Sequence, residues 1–292
     1  MKTIKRYPLL FLGLALAMIV MSACSPGSST TSSLTPLQVL QNSANTMKNL
    51  QSSHEDLKLT LQTNGISTNN NDLPIPPKVT VEGSGVEAIA DKQQKMDFKV
   101  TLPNLSFPIS DVIAGDKIYI KIAQGQWYVI DKAKVDQASG GLISRLLSGT
   151  PIDESTLLSL FKHINITDHG TENLNGQSLR HITANMDKVA LQQLLLDNPQ
   201  LQNQLGTQNL NAVKDFSASL DLYIDENHFY THRTELKVNL GMDNNGKTAT
   251  ANVDLTIDLS NFNQPVTITA PANATPLTDP KQLLGELSKL QH

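Results

Sequence analysis

Cys24 is the only thiol in the chain, and its position gives it a chemistry. Lys2, Lys5 and Arg6 form a positive start, Leu9–Val20 an apolar run, and the small residues Ser22 and Ala23 stand directly before Cys24, the order of a secretory signal peptide. Met21-Ser22-Ala23-Cys24 resembles a bacterial lipobox, in which the thiol is acylated, with palmitate-class chains, and the leader 1–23 is removed. Met21 stands where Leu is usual. Residues 24–34, small and rich in Ser and Thr, read as a flexible tether between a lipidated Cys24 and a folded body.

Other residues that could do chemistry lack the spacing for it. His228 and His232 are four apart, a ligand spacing on a helix, but they fall at a hairpin, where positions i and i+4 are about 13 Å apart in an extended chain. His163, His169 and His181 belong to no HExxH frame and read as strand-end histidines. Gly83-Ser84-Gly85 is not a nucleophile elbow, and its glycines fall inside a strand pattern, where they are expected to mark a bulge. Asp243-Asn244-Asn245-Gly246 lacks the acidic series of a calcium loop and reads as a turn. The sequence therefore predicts no catalytic residue, metal site or cofactor, and no enzyme.

The elements that position these residues are mostly strands. Thr35 onward is helical, with Pro36 at a first-turn position and Leu37, Leu40, Ala44, Met47 and Leu50 three or four apart. The period then becomes two: Leu57, Leu59 and Leu61; Val79 and Val81; Val86, Ala88 and Ala90; Met96, Phe98, Val100 and Leu102. Gly115-Asp116 and Gly125 divide strands at 109–114, 118–122 and 127–130, and Asn175-Gly176 divides two more. Helical periods return within 132–163 and from Asp187 to about Asn211. Strands follow at 216–225, 229–240, 248–259 and 266–269.

This predicts one α+β domain over 35–275, with about ten antiparallel strands and its helices gathered in a few places. A sheet of that size must curl or be covered. The expected fold is therefore a curled half-barrel whose inner face is covered by helices around an apolar cavity. The predicted lining is Met96, Phe98, Val100 and Leu102; Ile118 and Ile120; Leu142, Ile143, Leu146, Leu147, Leu157, Leu160 and Phe161; and Leu220 and Leu222. Gly140-Gly141 and Gly149 would let the 142–161 helices move as a lid. The tail 276–292, with Leu283, Leu284, Leu287 and Leu290, reads as a short helix.

Composition narrows the function. The net charge is -4, and becomes -7 once Lys2, Lys5 and Arg6 leave with residues 1–23; with 4% aromatics there is no basic footprint for nucleic acid. One Cys excludes a disulfide framework and a cysteine-ligated zinc site.

The order of local sequences resembles the LppX/LprA/LprF/LprG lipoproteins of the mycobacterial envelope, a family similar in fold to the LolA/LolB carriers. The resemblance covers about 35–275. It rests on the lipobox and tether, on LTPLQVLQNSANTMKNLQSSHEDLKLTL (34–61), DVIAGDKIYIKIAQGQWYVID (111–131) and GLISRLLSG (141–149), and on ENLNGQSLRHITANM (172–186) and ASLDLYIDENHFYTHRTEL (218–236). It implies a half-barrel with a helical lid, lipid-anchored through Cys24 to the cell membrane on the extracytoplasmic side. The cavity would carry acylated lipids or glycolipids, with a membrane lipid transporter as a further partner. The alternative is an envelope sensor or assembly lipoprotein of the same fold with a filled core.

Overall fold

The computed structural model describes residues 34–65, 76–139, 164–197, 213–244 and 247–279, together with 282, 283 and 285. The chain forms two compact units whose segments interleave. One is drawn from the described parts of Met1–Lys48, Thr60–Lys78 and Pro151–Thr256, the other from those of Asn49–Leu59, Val79–Thr150 and Ile257–His292. Strands dominate both.

The first unit holds helices α1 (Pro36–Lys48) and α3 (Lys188–Asp197) and the strands β7 (Asn165–Leu174), β8 (Gln177–Asp187), β9 (Val213–Ile224) and β10 (Thr231–Asn244). Two further strands, β1 (Ser52–Asn64) and β11 (Lys247–Ser260), run through both units, and hydrogen bonding in the first unit follows the order β1-β11-β10-β9-β8-β7. α1 begins with a reciprocal cap: the Thr35 N–H donates to Gln38 Oε1 at 2.9 Å and the Gln38 N–H to Thr35 Oγ1 at 3.3 Å. Pro36 follows, where its missing N–H is no loss. α1 buries Leu40, Ala44 and Met47 of the predicted stripe, but Leu37 is exposed and Val39 is buried in its place. In α3 the Ala190 N–H is capped by Asp187 Oδ1 at 2.8 Å, and Leu191, Leu194 and Leu195 are buried.

The register of β8, β9 and β10 sets the core of this unit. Leu220 pairs laterally with Ala184 and Leu236, and Leu222 with Ile182 and Thr234, so Leu220, Leu222 and Leu236 share one apolar face. Each buried aliphatic side chain contributes about 1.5–3 kcal/mol relative to exposure. The intervening residues Asp221 and Tyr223 face the other way.

The second unit holds β2 (Lys78–Ala88), β3 (Gln93–Leu102), β4 (Leu105–Ala114), β5 (Lys117–Ile122), β6 (Trp127–Asp131), helix α2 (Lys132–Ser139) and the two-residue β12 (Thr275–Pro276). Its strand order is β12-β6-β5-β4-β3-β2-β1. β2 through β6 pair antiparallel, while β12 joins β6 in parallel.

Two local expectations are corrected here. Gly83 and Gly85 make no bulge, since the β2–β3 register runs unbroken from Thr80–Thr101 to Ala88–Gln93. They are glycine because Phe98 and Met96 lie across them: a Cβ at Gly83 would stand 2.4 Å from the Phe98 ring, and one at Gly85 2.1 Å from the Lys95 carbonyl oxygen and 2.5 Å from Met96 Sδ. Residues 266–269 are not a strand. Val266 and Ile268 instead pack with Val86, Ala88, Val112, Tyr119 and Trp127, so their alternation reflects packing on a face rather than a ladder. Val86 and Ala88 lie on the opposite face of β2 from Val81. The straight register puts them there, packed with Val112 and Ile268, while Val81 on the other face keeps part of its surface.

Candidate functional site

In the second unit the pairings bring one face of β2–β6 into rows. Val81, Val100 and Phe107 form one row; Gly83, Phe98, Ile109 and Ile122 the next; then Gly85, Met96, Asp111, Ile120 and Tyr128; then Glu87, Gln94, Ile113, Ile118 and Ile130. Predicted lining residues Met96, Phe98, Val100, Leu102, Ile118 and Ile120 thus come together on one wall. Its last row is closed: Ile113, Ile118 and Ile130 are buried with Val135 of α2 and Leu277. In the other rows Met96, Phe107 and Ile122 are buried as well, while Val81, Phe98, Val100, Leu102, Ile109 and Ile120 retain part of their surface. The wall is an apolar surface that an extended hydrocarbon can lie against.

Leu220 and Leu222 stand in the first unit, buried in its packed core at 3% and 4% exposure. Leu142, Ile143, Leu146, Leu147, Leu157, Leu160 and Phe161, the predicted lid, lie outside the described residues, as do Cys24, His163 and the tether. In the tail, residues 282, 283 and 285 are helical, and Leu277 joins the second unit's core.

The wall also carries three acids that the sequence analysis did not single out. His54 hydrogen-bonds Ser84, and Lys58 pairs with Glu82, on the side of the sheet away from Gly83 and Gly85; Glu55, one residue out of phase, therefore faces the wall with Glu87 and Asp111. Burial raises the Glu55 carboxyl to about 7, with help from the negative charges of Glu87 and Asp56. Burial likewise raises Asp111 to about 7, with Asp97 and Glu55 adding to it, and it raises Glu87. Asp111 Oδ1 is buried with no hydrogen-bond partner among the described residues. A signal existed: Glu55 is in phase with Leu57, Leu59 and Leu61, and Asp111 with Ile109 and Ile113, so each is an acid at an apolar position of an alternating strand.

The opposite chemistry occupies the first unit's polar face. The His181 ring stacks between His169 and Tyr223, each centroid 4.4 Å away, rather than standing at a strand end. Its Nδ1 bonds Glu172 at 3.0 Å and its Nε2 bonds Asp221 at 2.9 Å. Burial opposes a charge on His181, but these two carboxylates outweigh it and raise its pKa. The stabilisation is therefore fully present below the unfolded pKa near 6.5 and is lost as pH rises through the raised folded value. His181→Phe, which keeps the stack, should lower unfolding stability by about 1 kcal/mol at pH 5.5 and by less at pH 8.5 in urea titrations; equal losses at both would assign the effect to packing.

Arg180 binds Asp168 through two nitrogens and Glu226 at 2.9 Å, tying β7 and β8 to the β9–β10 turn. His228 bonds Asp225 at 2.9 Å across the β9–β10 turn, and burial lowers the His232 pKa. Among the described residues no group of three or more His, Cys, Asp or Glu is placed to hold a metal, and no helix is long and apolar enough to cross a membrane.

A strand-dominated chain with a half-covered apolar wall is the class of protein the fold and wall define. The chain belongs to DUF6612, a family of unknown function, whose model matches residues 35–276. Among solved structures it is similar to the lipoprotein LppX of Mycobacterium tuberculosis, at 16% identity and a TM-score of 0.39 over 80% of this chain and 97% of that one. It is also similar to LprF from Mycobacterium bovis, at 19% identity and a TM-score of 0.41 over 83% and 100%. A third is a beta-barrel-like DUF1849 protein from Brucella abortus, at 8% identity and a TM-score of 0.18, over 73% and 99%. No curated protein matches the sequence.

Proposed function

We propose that this protein is a lipoprotein, anchored through an acylated Cys24 on the extracytoplasmic side of the cell membrane, that binds acylated lipids or glycolipids and carries or presents them in the envelope. The observation that carries the reading is the half-covered wall of Val81, Phe98, Val100, Leu102, Ile109 and Ile120. Burying a 16-carbon chain recovers about 0.8 kcal/mol per CH₂, or roughly 12 kcal/mol where the chain is fully enclosed, which nearly offsets its withdrawal from a bilayer. Transfer between membrane and protein is then close to neutral and reversible without chemistry. The lipobox and the Ser/Thr-rich tether support a body held near its lipid source.

The test is mass spectrometry of lipids extracted from protein purified without detergent. Acyl lipids at near one per chain are expected, and a lipid-free protein that also takes up none from vesicles overturns the reading. The anchor is tested separately. Cys24→Ser should leave an uncleaved, non-acylated precursor, and wild-type processing that is insensitive to globomycin would refute acylation at Cys24.

A further inference from the structure

We propose that Glu55, Glu87 and Asp111 make ligand binding on the second unit's apolar wall proton-linked, so that an acyl chain is held when these carboxyls are protonated and released as they ionise. The inference rests on the lipid-binding reading and deepens it.

The geometry supplies the coupling. Asp111 is flanked along its strand by Ile109 and Ile113 and across it by Met96 and Ile120. Glu87 lies opposite the neutral Gln94, and Glu55 faces the same side from β1. The charged groups of the surrounding strands point the other way: His54, Asp56 and Lys58 on β1, Glu82 on β2, Lys95, Asp97 and Lys99 on β3, Lys117 and Lys121 on β5. From β6 the wall receives Tyr128 and Ile130. Asp131 engages Lys117 and Lys134, the latter from α2, whose other described cation is Lys132. Among the described residues no ion pair reaches Glu55, Glu87 or Asp111, none of their cations compensates these acids when they ionise, and Asp111 Oδ1 has no donor.

A hydrocarbon laid on this wall removes water that the carboxylates would otherwise recruit, and so penalises their charged forms further. By linkage, anything that raises their pKa on binding must itself bind more weakly when they are ionised. All three already stand above their ordinary values, Glu55 and Asp111 at about 7, so the response falls near neutrality rather than at pH 4.

The experiment titrates the full-length protein with 1-N-phenylnaphthylamine, a fluorescent apolar probe uncharged from pH 5.5 to 8.5, so that the ligand does not itself titrate. The expected result is a dissociation constant at least about tenfold higher at pH 8.5 than at pH 5.5. The Glu55→Gln/Glu87→Gln/Asp111→Asn variant should bind at pH 8.5 as the wild type does at pH 5.5. If that variant does not fold, the wild type still decides: calorimetry near pH 7 in two buffers of different ionisation enthalpy should show protons taken up as the probe binds. Binding without pH dependence and without proton uptake, or a pH dependence that persists in the triple variant, overturns the inference and leaves the lipid-binding reading standing. No binding at any pH overturns both.

Discussion

Val100→Trp should abolish acyl-chain binding while leaving the thermal midpoint within about 3 °C of the wild type. Val100 lies between Val81 and Phe107, with Met96, Phe98 and Leu102 on the same face of β3, and it is half-buried rather than enclosed. On a wall that binds a hydrocarbon, an indole placed there fills the volume that the ligand would take without displacing packed neighbours. In a closed core the same change overpacks, at about 1–3 kcal/mol or more. Ile118, 6% exposed in the row closed by α2 and Leu277, is the internal control: Ile118→Trp should destabilise by that amount. A Val100→Trp protein that binds probe as the wild type does would show that the wall is not the binding surface. One as damaged as Ile118→Trp would show that the wall is filled.

Asp111→Asn and Glu55→Gln should each stabilise the fold at pH 8, by about 2 kcal/mol, and leave it nearly unchanged at pH 4. Both folded pKa values are raised to about 7, above unfolded values near 4, so between those limits the native state holds protons that the unfolded state has lost. Stability therefore falls as pH rises from about 4 to 7 and is level above that. The full shift would correspond to roughly 4 kcal/mol for each group, and the residual exposure of both side chains reduces it to about half. Because Glu55 raises Asp111, the two gains should add to less than their sum. Urea unfolding of the single and double variants at pH 4 and pH 8 checks this, and a gain of equal size at both pH values would attribute it to packing instead of charge.

Much of this protein is written in local period. The 3.6-residue stripe of α1 with Pro36 at its start, the two-residue alternation of β3 and β5, and the turn at Asn175-Gly176 are properties of short segments, decided by which side chains can share a face or tolerate a turn. The run Lys2–Cys24 likewise carries its expectation of an anchored lipoprotein without any fold. What covers a face is not local. Val86 and Ala88 alternate like Val79 and Val81, yet lie on the other side of the sheet under Ile268, about 180 residues away in the chain. Val266 and Ile268 alternate like a strand and pack as a covering segment. Leu220 and Leu222 have the pattern of Ile118 and Ile120, and they lie in a closed core while Ile120 does not. The acids show the same division. Sequence alone placed Glu55 and Asp111 at apolar phases of their strands, but only the strand order β4-β3-β2-β1 brings them onto one wall, where the charge of Glu55 raises the pKa of Asp111. Side-chain period is a property of one strand's backbone geometry, whereas lateral register and cover are settled by which distant segments exclude water together.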